Sequence, residues 1–358
     1  MNGNTLLLFF AGLALLIGGA ELLVRGASRL ASLAGLSPLV VGLTIVAYGT
    51  SAPELAVSLQ GVLSGREDIA LGNVIGSNIF NVLFILGASA LAAPLSVSAQ
   101  LVRIDLPVML FSSLLVFLLA LDGRIGQMDG ALLLLLAAGY TALQFRLGRN
   151  GNGAGGGEPR PKAKAGRLAF QVCLILAGLV LLALGSRWLV GGAVEIAAWL
   201  GISPLIVGLT VVAAGTSLPE AATSVLSSIR GQRDIAVGNV VGSNIFNLFL
   251  ILGAAGLFAP AGIKVSRGVL GFDLPVMIAV AVVCLPLFYT GAVISRLEGL
   301  LLLGYYAAYT VYLFLEAAEH EALKGYSDAL LYFALPLTAV ILLITVWQHR
   351  RSAAGSGV

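Results

Sequence analysis

Charged residues are scarce in this sequence. They make up 10% of its 358 residues, where a soluble domain carries about 25%. Hydrophobic residues make up 59%, and the mean hydropathy is +1.01. A soluble fold is therefore excluded, because too little polar surface would cover it. Many apolar runs approach the roughly 20 residues that a helix needs to cross a bilayer, and the alternation of a transmembrane β-barrel is absent. We predict an all-α polytopic membrane protein.

Cysteine and histidine are nearly absent, with two of each. Cys173 and Cys284 lie within apolar runs, so we interpret them as small buried residues without a disulfide. His320 and His349 lie near the ends of apolar runs, away from any intramembrane site. No pattern resembles the nucleophile and base of an intramembrane enzyme. The basic residues behind the net charge of +3 lie in loops between spans, so no nucleic-acid partner is predicted.

An internal repeat organises the chain. The motifs "GLTIVAYGTSAPE" and "GNVIGSNIFN" of the first half match "GLTVVAAGTSLPE" and "GNVVGSNIFN" of the second half, and the two copies align without a gap. Each copy contains five apolar runs. Because five is odd, the second copy enters the membrane from the opposite side. We predict two inverted five-helix repeats, ten transmembrane helices in all, which is the plan of many secondary transporters.

The domain boundaries follow from these runs. We predict a first five-span repeat over 1–147, a flexible basic linker over 148–167, a second repeat over 168–316, and an extra C-terminal span and tail over 317–358. The eleventh transmembrane helix is expected near 328–347. Most lysines and arginines fall on the side of the linker, which predicts an outside N-terminus and a cytoplasmic linker and C-terminus.

The motifs "GTSAPE" and "GTSLPE" place polar residues inside apolar runs. Their Gly and Pro predict a broken helix, because Pro is tolerated in the first turn of a new helix. Such a break is stable at membrane depth only where the backbone lines a cavity or is buried in protein. Glu54 and Glu220 follow the two breaks, and neither span contains a Lys or Arg in its interior. A lone carboxylate there costs several kcal/mol, so we predict that both bind a cation.

Further oxygen ligands recur at helical spacing around these carboxylates. The polar stripes comprise Ser51, Ser58, Asn73, Ser77 and Asn81 in the first copy and Ser217, Ser224, Asn239, Ser243 and Asn247 in the second. All-oxygen sites suit hard cations such as Ca²⁺ and Na⁺, and two carboxylates match one Ca²⁺ in charge. The alternative is that polar residues join neighbouring helices by hydrogen bonds, which we favour for Asn78 and Asn244.

Three charged residues outside the motifs are interpreted structurally. Glu21 and Arg187 occupy equivalent positions in the two copies. Either they form an ion pair between the first and sixth spans, or Arg187 extends to the membrane surface and Glu21 is unrelated to it. Asp105 directly precedes "LP" and is interpreted as a helix N-cap.

The duplicated motifs resemble the two α-repeats of the cation/Ca²⁺ exchanger superfamily, specifically its Na⁺/Ca²⁺ exchanger branch in prokaryotes. The resemblance covers residues 5 to about 315. It implies a secondary active antiporter, not an enzyme, that exchanges Na⁺ for Ca²⁺ by alternating access and extrudes Ca²⁺. Ca²⁺/H⁺ antiport is the alternative within transport, and a cation channel is the alternative from another class.

The resemblance also implies the setting and the partners of the protein. It places the chain in the cytoplasmic (inner) membrane of a prokaryote. The expected partners are the transported ions Ca²⁺ and Na⁺ and the lipid bilayer. No tightly bound cofactor and no obligatory protein partner are expected.

The resemblance further implies a ligand set. Glu54 and Glu220 would bind Ca²⁺ directly, with the carbonyl oxygens of Thr50 and Thr216. Na⁺ would use the same carboxylates together with the carbonyls of Ala47 and Ala213 and the hydroxyls of Ser51, Ser77, Ser217 and Ser243. Asn81 and Asn247 would border the central position. Some relatives carry Asp at the position of Asn247, and the neutral amide here predicts that K⁺ is not required.

Overall fold

The computed structural model describes residues 3–34, 36–65, 67–150, 165–199, 213–289, 292–330 and 332. Within these ranges, eight helices are long and apolar enough to cross a membrane, and a ninth candidate span is a pair of helices bent by 43°. The prediction of an all-α membrane protein is confirmed. The ten-helix inverted repeat stays a prediction. The expected eleventh span at 328–347 lies almost wholly outside the described residues.

The α-helices of the first half are α1 (Gly3–Ala34), α2 (Pro38–Val41), α3 (Ala47–Thr50), α4 (Ala52–Leu63), α5 (Glu67–Phe80), α6 (Gly87–Ala92), α7 (Leu106–Leu119) and α8 (Gln127–Asn150). Those described in the second half are α9 (Ala165–Trp199), α10 (Ala213–Gly215), α11 (Leu218–Ile229), α12 (Arg233–Phe246), α13 (Leu252–Phe258), α14 (Leu274–Tyr289), α15 (Arg296–Ala317) and α16 (Ala322–Ala329).

Two short antiparallel ribbons join loops of the two halves. Strand β1 (Leu95–Ser96) pairs with β4 (Val293–Ile294), and β2 (Arg124–Ile125) pairs with β3 (Ile263–Lys264). Each ribbon satisfies backbone hydrogen-bonding groups where the chain leaves one helix for the next. The ribbons therefore fix the ends of the helices on both halves relative to each other.

Wider π-helical turns interrupt helical stretches at five places in the described residues between 42 and 273. They comprise Gly42–Val46, Asn81–Leu86, Leu101–Asp105, Asn247–Ile251 and Val269–Asp273. Such turns are rare and are frequent at functional sites. Two of them begin at Asn81 and Asn247, the asparagines that the sequence places at the ion site. Hydrophobic periodicity does not predict these segments, because five or six residues are too few to separate a π turn from an α turn.

The two spans that carry the asparagine motifs lie at the centre of the bundle. Glu67–Ala92 and Arg233–Phe258 are buried over 72% and 94% of their most apolar stretch, whereas the other unbroken spans are buried over at most 39%. Their polar residues consequently face protein and not lipid. This arrangement meets the requirement that polar groups at membrane depth find partners inside the bundle.

Helices α1 and α9 pack together through glycines that recur every seven residues. They are Gly12, Gly19 and Gly26 on α1 and Gly178, Gly185 and Gly192 on α9. A Cβ added to Gly19 would lie 2.8 Å from the carbonyl oxygen of Gly178, and one added to Gly185 would lie 2.7 Å from the backbone nitrogen of Leu16. The glycine pairs show that the helices run antiparallel. Close backbone contact of this kind stabilises helix pairs in membranes.

We expect Gly19→Leu to destabilise this helix pair, because the added side chain must force two backbones apart. Overpacking of a tight contact costs about 1–3 kcal/mol. Gly18→Leu is the matched control, since in the described chain a Cβ at Gly18 has no atom within 4 Å apart from its chain neighbours and the adjacent backbone of its own helix. The measurement is the melting temperature of the purified protein in detergent, which should fall for Gly19→Leu only. Equal melting temperatures for the two variants would contradict the close contact.

Glu21 does not pair with Arg187. It forms ion pairs with Arg25, one turn along α1, and with Arg230, whose guanidinium nitrogen lies 2.8 Å from the carboxylate. Arg187 is exposed, so the predicted alternative of an ion pair between the first and sixth spans is wrong. Arg230 directly follows α11, and the pair with Glu21 therefore ties α1 to that helix.

Asp105 does not act as a helix cap. Its side chain makes no capping hydrogen bond to α7. The carboxylate is fully buried and accepts hydrogen bonds from the Tyr140 hydroxyl, at 3.0 Å, and from the Gln144 amide. The N-cap interpretation is therefore wrong, and the side chain instead joins α7 to α8.

Candidate functional site

Two helix breaks position the predicted carboxylates. The first break is at Ser51 (φ −81°, ψ 6°), between α3 and α4, and Pro53 follows in the first turn of α4. The second is at Ser217 (φ −89°, ψ 9°), ahead of α11. Glu54 and Glu220 consequently occupy the first turns of two new helices. Negative charge is favoured there, because the N-terminal end of a helix carries partial positive charge.

Each carboxylate is held by the serine at the opposite break. The Ser217 hydroxyl donates to Glu54 Oε1 at 2.9 Å, and the Ser51 hydroxyl donates to Glu220 Oε1 at 2.9 Å. Both glutamates are 1% exposed. Their second oxygens, Glu54 Oε2 and Glu220 Oε2, have no hydrogen-bond partner in the described part of the chain. One oxygen of each carboxylate is therefore oriented by protein, and the other remains an open acceptor.

The hydroxyls of the motifs form a reciprocal set between the halves. Ser51 Oγ lies 3.1 Å from Ser243 Oγ, and Ser217 Oγ lies 3.0 Å from Ser77 Oγ. All four side chains are buried. The structure thus brings together the four serines that the resemblance implies as Na⁺ ligands, and each pair lies beside one carboxylate.

The threonines of the motifs also cross between the halves. Thr50 Oγ1 donates to Asn239 Oδ1 at 3.1 Å, and Thr216 Oγ1 donates to Asn73 Oδ1 at 3.3 Å. These hydroxyl contacts join the two halves and do not involve the backbone carbonyls of Thr50 and Thr216, which the resemblance implies as Ca²⁺ ligands.

The asparagines that start the polar stripes act on their own half. Asn73 Nδ2 donates to the Glu54 backbone oxygen at 3.2 Å and to Ser58 Oγ at 3.0 Å. Asn239 repeats this contact, with a 2.9 Å hydrogen bond to Ser224 Oγ. Each asparagine therefore fixes the half-helix that carries the glutamate against the following span.

Asn81 and Asn247 contribute two further open oxygens. Their Nδ2 atoms donate to the amide oxygens of Asn244 and Asn78, respectively, at 3.0 Å each. Their own Oδ1 atoms are buried and have no partner among the described residues. Together with one oxygen from each glutamate, the two halves contribute four buried and unpartnered oxygens in matching pairs.

Ala47 and Ala213 lie in the short helices just ahead of the breaks. The Ala47 carbonyl accepts a 3.0 Å hydrogen bond from the Ser51 backbone nitrogen. A carbonyl oxygen has two lone pairs, and the Thr50 hydroxyl oxygen lies 3.5 Å from this one. Ala213 is the first residue of α10. Both carbonyls lie in the short helices, α3 and α10, that precede the helices carrying Glu54 and Glu220.

The donor set is confined to oxygen and carries little charge. No three His, Cys, Asp or Glu side chains converge as a metal site in the described ranges. Only two carboxylates are present, and the other groups are hydroxyls, amides and carbonyls. Low ligand charge weakens Ca²⁺ binding, and a transported ion must be released again. The arrangement suits an exchangeable hard cation better than a resident metal.

Comparison with known proteins decides the family. The chain matches the family model described as "Sodium/calcium exchanger protein" over residues 4–146 and 170–315. It belongs to the sodium/calcium exchanger family. The resemblance predicted from the duplicated motifs is therefore confirmed, and so is the identification of this exchanger as an ion transporter of the membrane.

Named relatives align with most of the chain. This exchanger is 38% identical to the "putative antiporter CaxA" of Alkalimonas amylolytica, over 85% of its own length and 96% of that protein. It is 35% identical to the "sodium/calcium exchanger MaX1" of Methanosarcina acetivorans, over 86% of its own length and 98% of that protein. These relatives place this exchanger among prokaryotic members of the family.

A solved structure shares the fold. The sodium-calcium exchanger NCX_Mj, soaked with Na⁺ in the absence of Ca²⁺, superposes with a TM-score of 0.74 at 30% identity. The match covers 85% of this exchanger and 96% of that chain. The helical arrangement around the candidate site is thus that of a sodium–calcium exchanger.

Sequence reasoning missed two features of this site. The sulfur atoms of Met109 and Met277 lie 3.6 and 3.7 Å from the amide nitrogens of Asn244 and Asn78. Nothing in an apolar run distinguishes these methionines from other core residues. The crossed pairing of each glutamate with a serine of the other half was also missed, because it depends on how the halves pack.

Proposed function

We propose that this exchanger is a secondary active antiporter that exchanges Na⁺ for Ca²⁺ by alternating access and extrudes Ca²⁺. The observation that carries the proposal is the set of four buried oxygens without partners: Glu54 Oε2, Glu220 Oε2, Asn81 Oδ1 and Asn247 Oδ1. Hard oxygen ligands select ions such as Ca²⁺ and Na⁺. The two carboxylates neutralise one Ca²⁺, and backbone carbonyls of Thr50 and Thr216 complete its ligands.

Sodium uses an overlapping set of oxygens in this proposal. It binds the same carboxylates and adds the carbonyls of Ala47 and Ala213. It also adds the hydroxyls of Ser51, Ser77, Ser217 and Ser243. Those hydroxyls already contact the carboxylates or each other. Because the two ion types need the same oxygens of Glu54 and Glu220, only one type is bound at a time.

Exchange then follows from the cost of the empty site. Without an ion, two uncompensated carboxylates would have to pass through a closed apolar path, which is costly at membrane depth. The loaded protein can therefore switch sides and the empty protein cannot. Two inverted five-helix repeats would make the same site accessible from either side. The N-terminus lies outside, and the linker and the C-terminus lie in the cytoplasm of a prokaryotic cell.

The test is Ca²⁺ uptake into proteoliposomes loaded with Na⁺ and diluted into choline, with a protonophore present. We expect uptake that depends on the outward Na⁺ gradient and is insensitive to the protonophore. Uptake that requires a pH gradient and ignores Na⁺ would indicate Ca²⁺/H⁺ antiport instead. Uptake without any counter-ion would indicate a channel.

Transport is expected not to require K⁺. Asn247 contributes a neutral amide, so the central site has two carboxylates, and one Ca²⁺ uses both charges. No charged ligand remains for K⁺. The measurement is Na⁺-driven Ca²⁺ flux with K⁺ replaced by choline at constant ionic strength and clamped membrane potential. The flux should be unchanged, and a steep loss on removing K⁺ would overturn this part of the proposal.

A further inference from the structure

We propose that Asn78 and Asn244 are positioning residues that hold the amides of Asn247 and Asn81 with their oxygens toward the ion. The inference rests on the proposed function of the central site. Asn78 and Asn244 lie one step off the polar stripes, and all four asparagines are buried. They determine whether the oxygen or the nitrogen of the neighbouring amide faces the ion.

The hydrogen bonds between the halves fix that choice. Asn247 donates from Nδ2 to Asn78 Oδ1, and Asn81 donates from Nδ2 to Asn244 Oδ1, at 3.0 Å each. An amide carries its donor nitrogen and acceptor oxygen on opposite branches. When the nitrogen is used by the neighbouring asparagine, the oxygen points away from it. The oxygens of Asn81 and Asn247 are the atoms left without partners.

Two methionines hold the positioning residues themselves in one orientation. Asn78 Nδ2 lies 3.7 Å from Met277 Sδ and also donates to the Asn244 backbone oxygen at 3.3 Å. Asn244 Nδ2 lies 3.6 Å from Met109 Sδ. A thioether sulfur accepts hydrogen bonds weakly and cannot donate them. A reversed Asn78 or Asn244 would place oxygen against sulfur, so the nitrogen faces the methionine and the oxygen faces the ion-site asparagine.

The need for such positioning arises from the neutral amide at Asn247. A reversed Asn247 would present an N–H group to a cation and would repel it. A carboxylate at this position would present oxygen in either orientation. The positioning effect of Asn78 should therefore depend on whether residue 247 is an amide or a carboxylate.

A double-mutant cycle with Asn78→Leu and Asn247→Asp tests this dependence. Leu has the same branched shape, although it is larger, and it offers no acceptor to Asn247. Asn78→Leu should weaken equilibrium ⁴⁵Ca²⁺ binding by about 10–100-fold, the usual cost of losing a group that orients a ligand. In the Asn247→Asp protein the same change should weaken binding less than about threefold, because the two residues are then uncoupled. Melting temperatures in detergent report whether each variant folds.

Met277→Leu is the second variant, because Asn78→Leu can fail to fold. It nearly conserves the volume of the side chain and removes the acceptor that orients Asn78, and the same dependence on residue 247 is expected. If Ca²⁺ affinity falls equally with Asn and with Asp at position 247, Asn78 and Met277 act through packing. That result would overturn the positioning role but not the proposed function. A folded wild-type protein that binds no ⁴⁵Ca²⁺ would instead contradict the proposed function.

Discussion

Glu54→Gln and Glu220→Gln are each expected to abolish Na⁺-driven Ca²⁺ flux while the protein still folds. Glutamine keeps the size of the side chain and an oxygen that accepts from Ser217 or Ser51. Only one negative charge then remains for a divalent ion in a buried site. Removing one partner of a buried charge pair costs about 3–5 kcal/mol, which corresponds to a loss of at least about 100-fold in affinity.

The measurement is initial ⁴⁵Ca²⁺ uptake in proteoliposomes, normalised to reconstituted protein. Asp68→Asn is the control, because this exposed carboxylate lies in the first turn of α5, outside the site. Its uptake should match that of the wild-type protein. Retained Ca²⁺ transport in a folded Gln variant would contradict the assignment of that glutamate to the site.

Ser51→Ala and Ser217→Ala are expected to weaken Ca²⁺ binding by about 10–100-fold each, since each serine orients the carboxylate of the other half. Ser51 donates to Glu220 Oε1 and Ser217 donates to Glu54 Oε1. Na⁺ binding should also weaken, because the same hydroxyls are proposed Na⁺ ligands. Ser113→Ala is the control: this buried serine donates to the carbonyl of Met109 within its own helix. Equal losses in the control and the site variants would indicate a general packing effect.

Much of the site could be predicted from the sequence because its signals are local. A Gly and a Pro inside an apolar run predict a broken helix, and the structure places the breaks at Ser51 and Ser217. A carboxylate at membrane depth without a basic neighbour predicts a site for a cation. The duplication then identifies Glu220 as the residue of the second copy that corresponds to Glu54.

The contacts between the halves could not be predicted, because they depend on packing and not on spacing. Periodicity shows that Ser51 and Glu54 share a helix face, but it does not show that Ser51 bonds Glu220. The same limit explains the error over Glu21, which pairs with Arg230 from another helix. Asp105 was misjudged for a related reason, because its partners Tyr140 and Gln144 lie on a different span.

The central claim is that Na⁺ and Ca²⁺ compete for one site built around Glu54 and Glu220. The most direct test is equilibrium ⁴⁵Ca²⁺ binding to the purified protein as Na⁺ replaces choline at constant ionic strength. We predict that Na⁺ lowers the apparent affinity for Ca²⁺ while the number of Ca²⁺ sites stays constant. An apparent Ca²⁺ affinity that does not change as Na⁺ replaces choline would contradict the overlapping site.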